Sequence, residues 1–192
     1  MIKTLGHQTI EKTSESVSQR SQVGPVKSTI HNRKGQLKNN PPFAGDGYYF
    51  WEDNLDAAEW WGLVHYAKKG SQFRIFRIDM TLKYDDNSFF DLIGSRQHLR
   101  LLAQLIRKTK MAINCQGWTL QNFITYFRLL ESRQKGLFPY KMIRFNDFSL
   151  NPKMQNPLSL SNYHHIALMN PFYIICVFEI QDLSLETFIF IK

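Results

Sequence analysis

The stretch Gly45-Asp46-Gly47-Tyr48-Tyr49-Phe50-Trp51-Glu52, continued by Asp53-Asn54-Leu55-Asp56-Ala57-Ala58-Glu59-Trp60-Trp61, constrains this chain more than any other. Two glycines let the backbone come close to a ligand, and the aromatic run Tyr48 to Trp51 reads as a short strand. Asn54 is a good N-cap for an alanine-lined helix running to about Lys68. Together these residues can build a flat slot for a planar ring. Tyr49 faces it from the strand, and Trp60 or Trp61 from the helix.

The rest of the chain reads as a mixed α+β domain. Ile2 to Leu5 predicts a first strand ending at Gly6-His7, and Glu11 to Gln22 a polar helix of weak amphipathicity. Gly24-Pro25 and the segment Asn32 to Pro42 read as a long basic loop. Phe73 to Leu82 alternates as a strand does, whereas Ser95 to Lys108 and Thr119 to Arg133 carry helical stripes. Tyr140 to Phe148, Tyr173 to Phe178 and Thr187 to Ile191 predict further strands, with Asn151 to Ser161 a polar loop. The layout lacks a regular βαβ alternation, so a largely antiparallel or split sheet is expected.

Composition bounds the class of protein. With 192 residues, 43% of them hydrophobic, and 15 Phe, a single globular domain over 1–192 is expected. Apolar runs such as Tyr173 to Phe178 are too short for a bilayer, and the N-terminus lacks the apolar core of a secretory signal. Cys115 and Cys176 are the only cysteines, too few for a disulfide framework. A cytoplasmic setting is therefore expected, with leaderless export still compatible. His164-His165 lacks the accompanying Cys and His residues of a metal site. The net charge of +8 is concentrated between Arg20 and Asn40 and between Arg96 and Lys110, neither of which contains an acid. Such blocks attract phosphates, of a nucleic acid or a dinucleotide, or simply form solvated faces.

Gly45-x-Gly47-x-Tyr49-Phe50, an acidic cluster, Ala57-Ala58 and Trp60 resemble the central motif of ADP-ribosyltransferases of the poly-ADP-ribose polymerase and diphtheria toxin type. His7-Gln8-Thr9 resembles that family's first motif, and Pro171 to Val177 its third, on a strand near the C-terminus. The Tyr-Phe-Trp-Glu variant is also similar to small bacterial toxin or phage-defence members.

The resemblance implies the family's split antiparallel sheet with flanking helices, and NAD as a substrate. It implies that Tyr49 and Trp60 sandwich the nicotinamide, with Gly47 and Tyr48 beside them. His7 would hold the adenosine ribose, supported by Gln8 and Thr9, while Arg74 or Arg77 reaches the pyrophosphate. Two positions depart from the pattern. Gln8 stands where the family has glycine, and no acid lies near Phe172, where the family has a glutamate. Glu52 and Glu179 are the alternative carboxylates.

The expected acceptor is RNA, DNA or a nucleic-acid-associated protein, with an antitoxin or immunity protein as a further partner and no membrane. A non-catalytic nucleotide- or nucleic-acid-binding module of the same fold is the competing expectation.

Overall fold

The computed structural model of the protein describes residues 1–12, 24–32, 34–39, 41–84, 88–146, 157–159, 166–168, 172–179, 181 and 189–190. In chain order the elements are β1 (Ile2–Glu11), β2 (Tyr48–Glu52), α1 (Leu55–His65), β3 (Phe73–Leu82), β4 (Phe89–Asp91), α2 (Arg96–Ala112) and α3 (Leu120–Arg133). They are followed by β5 (Met142–Asn146), β6 (Pro157–Ser159), β7 (Ile166–Leu168), β8 (Tyr173–Val177) and β9 (Ile189–Phe190). The fold is α+β. A mixed open sheet runs in the order β4-β5-β8-β2-β1-β3-β9, and β6 and β7 form a separate antiparallel pair. Within the large sheet only β4 and β5 run parallel.

Several boundaries follow from local chemistry. Asn54 caps α1 by accepting the Ala57 N–H at 2.8 Å, and Ser95 caps α2 in the same manner. Thr119 and Asn122 form a reciprocal capping box at the start of α3. The first helix stops three residues short of the expected Lys68, giving way to a 3-10 turn at Ala67–Lys69 that ends on Gly70 with φ 78°.

Strand β1 differs more. Instead of ending at Gly6-His7 it continues to Glu11, because every residue from Ile2 to Glu11 registers on β3. His7 thus lies inside a strand rather than at its end. The expected polar helix from Glu11 to Gln22 falls almost wholly outside the described residues, as do His164-His165 and part of the Asn151 to Ser161 loop.

The sheet's alternation sorts the apolar residues onto two faces. One face carries Trp51, Ile75, Ile143, Phe145, Ile174 and Cys176, and it is covered by Ala57 and Ala58 of α1, Leu102 of α2, and Phe123, Ile124 and Phe127 of α3. The other face gathers Phe50, Ile78, Met80, Leu82, Ile175 and Val177. The aromatic stripe of α3 is therefore core.

The segment between β1 and β2 is a clasp rather than a free loop where it is described. Ser28 and Gly47 exchange backbone hydrogen bonds of 2.8 and 3.0 Å, and the Asp46 carboxylate accepts the Ile30 N–H at 2.7 Å. His31 and Leu37 bridge across a turn, so a small hairpin fills much of the expected basic loop.

Candidate functional site

A rift in the sheet is the central feature. β1 registers on β2 only at Gly6↔Glu52 and His7↔Trp51, and the two strands part beyond that point. The expected split is thus a local parting within one continuous sheet. The Gln8 side chain bridges the opening: its Nε2 donates to the Val26 carbonyl at 2.9 Å and the Tyr49 carbonyl at 3.3 Å, and its Oε1 accepts the Val26 N–H at 2.7 Å. A glycine at this position would have no amide with which to hold the clasp. Gln8 therefore has a structural task, tying the segment at Val26 to β1 and β2.

The closed end of the rift carries two polar atoms without partners among the described residues, His7 Nδ1 and Arg77 Nε. They belong to registered neighbours on β1 and β3. His7 is only 5% exposed. Burial lowers its pKa, against a backbone hydrogen bond with Trp51 and the charge of Asp53, and Arg77 adds to the lowering. The lowering favours the neutral imidazole at pH 7, whose Nδ1 has capacity for one further hydrogen bond. Buried polar atoms are usually satisfied, and these two, like Thr125 Oγ1 and Asn146 Oδ1, have hydrogen-bonding capacity that the described residues leave unused. Thr9, in contrast, donates its hydroxyl to the Ala58 carbonyl at 2.5 Å and so ties α1 onto β1.

The aromatic residues divide into two groups. Trp60 lies 6.3 Å from Phe172 and 6.2 Å from Trp61, and Trp51 lies 5.9 Å from Phe172 and 6.0 Å from Trp61. Phe172 is buried at the start of β8, while Trp60 and Trp61 are partly exposed. Trp61 also stacks on His65 at 3.6 Å. Tyr49 belongs to a different neighbourhood, edge-on to Phe145 at 6.4 Å. Its hydroxyl accepts the Ala44 N–H at 2.9 Å and donates to the Gly45 carbonyl at 2.7 Å, which pins the preceding turn. Burial raises the pKa of that phenol well above its ordinary value. Tyr48 points to the opposite face of the sheet, with Lys27 Nζ 5.9 Å from its ring. Gly47 is required by strand packing, since a side chain there would overlap the Cys176 sulfur.

Neither expected carboxylate reaches the rift. Glu52 alternates onto the face opposite Trp51, where its Oε2 accepts from Arg144 Nε at 2.5 Å. Glu179 is exposed and pairs with Lys27 at 3.3 Å, beyond the Tyr48 end of β2. Among the described residues no three His, Cys, Asp or Glu side chains converge as a metal site.

The sequence reading missed the network around Arg144. Asp91, fully buried, accepts the Tyr84 hydroxyl at 2.6 Å and the amides of Ile93 and Gly94 at 2.9 and 3.0 Å. Arg144 reaches the same carboxylate at 3.6 Å, and the Asp91 N–H donates to His98 Nδ1 at 2.9 Å. Burial opposes ionisation of Asp91, but these donors outweigh it and hold its pKa below the ordinary value. Tyr84, half-buried and bonded to that carboxylate, is pushed up to about 12 by desolvation and by the neighbouring charge. An acid directly after Phe89-Phe90 was the only cue in the sequence.

No family model, curated protein or solved structure matches the chain. Among the described residues, no helix is long and apolar enough to cross a membrane.

Proposed function

We propose that the rift between β1 and β2 binds NAD and that the protein is an ADP-ribosyltransferase of toxin or phage-defence type. The observation that carries this reading is the pair of atoms His7 Nδ1 and Arg77 Nε, unpartnered among the described residues, at the end of a rift between β1 and β2. Residues that resemble each of the family's three motifs lie on β1, β2 and β8, which are neighbours in the sheet although 120 residues lie between Glu52 and Tyr173.

 The convergence is what a dinucleotide site built from distant segments requires.

In this reading the neutral His7 forms a hydrogen bond with a hydroxyl of the adenosine ribose, and Arg77 faces the pyrophosphate. Trp60, partly exposed beside Phe172, offers the face on which the nicotinamide stacks, whereas Tyr49, packed on Phe145 and pinned to the Ala44–Gly45 turn, does not supply the expected second face. Breaking the bond between nicotinamide and ribose sends the bonding electrons to the nicotinamide and leaves cationic character at the anomeric carbon. The protein must hold the ring, exclude water and place an acceptor on the open side of the sugar. Gln8 and Thr9 act through the backbone they anchor, Gln8 on the clasp and Thr9 on α1.

A second reading is favoured by Phe172. With an aromatic ring at the start of β8, and with Glu52 and Glu179 engaged in ion pairs, the same rift would serve a non-catalytic nucleotide-binding module. The two readings separate experimentally. Calorimetric titration with NAD should show binding that His7→Ala and Arg77→Gln each weaken by roughly tenfold, the size of one lost hydrogen bond to a charged or buried group. Labelled NAD incubated with nucleic acid and cell lysate should then give transfer that Trp60→Ala abolishes. Binding without transfer or nicotinamide release selects the module. An absence of NAD binding, or affinity unchanged in both rift variants, removes both readings.

A further inference from the structure

We propose that the exposed face of α2 is a docking surface for duplex nucleic acid, held through its phosphate backbone. Between Asp91 and Glu131 the chain contains no Asp or Glu, while Arg96, Arg100, Arg107, Lys108, Lys110 and Arg128 all fall in that interval. Five of those six cations lie on α2. At 3.6 residues per turn, Arg96, Arg100 and Arg107 share one stripe within about 40° of arc and about 16 Å of length. All three are exposed, as are Ala103 and Gln104 between them and Lys108 beside them. None of the three arginines makes an ion pair with the described residues.

The arrangement runs against the helix's own preferences. Arg96 occupies the first position of α2, where the macrodipole favours an anion, and the first turn holds no acid. Arg96 and Arg100 stand four residues apart and repel. Solvated helix faces ordinarily mix both signs, and this one does not. A polyanion relieves both penalties at once.

The observations favour nucleic acid over an anionic membrane. The apolar side of α2 is committed to the core through Leu101, Leu102, Leu105 and Ile106, and the exposed Leu99 and Met111 stand about three turns apart, so no continuous apolar stripe remains to enter a lipid surface. A straight, rigid row of guanidinium groups suits the regular phosphates of a duplex, and Arg binds phosphate through a planar fork. Met111, 81% exposed, ends the stripe and supplies an apolar contact to the sugar edge.

The surface is separate from the rift and does not depend on NAD binding. The test uses a fluorescein-labelled 20-base-pair DNA duplex, titrated with the full chain across a salt series. Arg96→Gln/Arg100→Gln/Arg107→Gln should weaken binding by more than tenfold and flatten the slope of log K against log salt by about 2.7, the share of three phosphate contacts. Lys34→Gln/Lys68→Gln/Lys69→Gln removes the same charge from exposed positions elsewhere and should leave affinity within about twofold. His7→Ala should bind the duplex as the wild type does. Thermal melts check that both triple variants remain folded. No binding at low salt, equal loss in the two triple variants, or stripe-dependent binding to phosphatidylserine vesicles without duplex binding would overturn the proposal.

Discussion

Gly47 stands where β2 passes β8 most closely, with a Cβ position that would collide with the Cys176 sulfur and lie 3.0 Å from the Val177 carbonyl. Cys176 is wholly buried and backbone cannot yield cheaply, so Gly47→Ala should destabilise the fold by about 1–3 kcal/mol in urea unfolding. Gly45 differs, since its φ of 78° places it in the left-handed region that the turn before β2 needs. The Gly-x-Gly pair was legible as a place of close approach, but the approaching group is protein. Histidines govern the acid response. Burial lowers the pKa of His7, His65 and His98 from 6.5, so the unfolded chain takes up protons at higher pH than the folded one. Stability should be fully present above pH 6.5 and decline as pH falls through that value. Asp91, depressed below 3.8, adds a second loss at lower pH as the folded carboxylate protonates. Urea midpoints measured from pH 8 to pH 5 check the first decline, and His98→Gln should reduce its steepness.

Strands and helices were legible in proportion to how local their causes are. β3 has the predicted limits Phe73 and Leu82 because its alternation is complete, and all three helices begin beside their capping residues. β4 was not foreseen: Phe89–Asp91 is too short for a period, and it exists by pairing in parallel with β5. The extension of β1 to Glu11 likewise depends on β3, more than sixty residues away. Arg144 is the element-scale counterpart of that lesson. It sits on β5 and joins Glu52 of β2 to Asp91 of β4 across the sheet, with side chains 14%, 5% and 0% exposed. Arg144→Ala strands two buried carboxylates and should cost about 3–5 kcal/mol. Glu52→Gln in the same background should restore part of that loss, and a double-mutant cycle in urea measures the coupling.

At the scale of the molecule, β8 occupies the middle of the sheet between β5 and β2, and all but its first residue are buried. Ending the chain after Leu168 removes that strand and exposes the edges of both neighbours. The truncated protein should lose cooperative unfolding and aggregate, as read by thermal melting and light scattering. Local patterning by itself determined the α+β class, the strand-then-helix unit from Tyr48 to His65, the amphipathic faces of α2 and α3, and the one-signed charge of α2. These follow from spacing and capping within a few residues. Tertiary structure alone decided that β1 and β2 part beyond His7, that Gln8 spans the gap, and that Glu52 faces Arg144 instead of the rift. It also left Nδ1 of His7 and Nε of Arg77, on registered residues of β1 and β3, without partners among the described residues. The physical reason is that strand register and the turning of each side chain to one face are set by partners remote in sequence, and a shift of one residue would reverse every face.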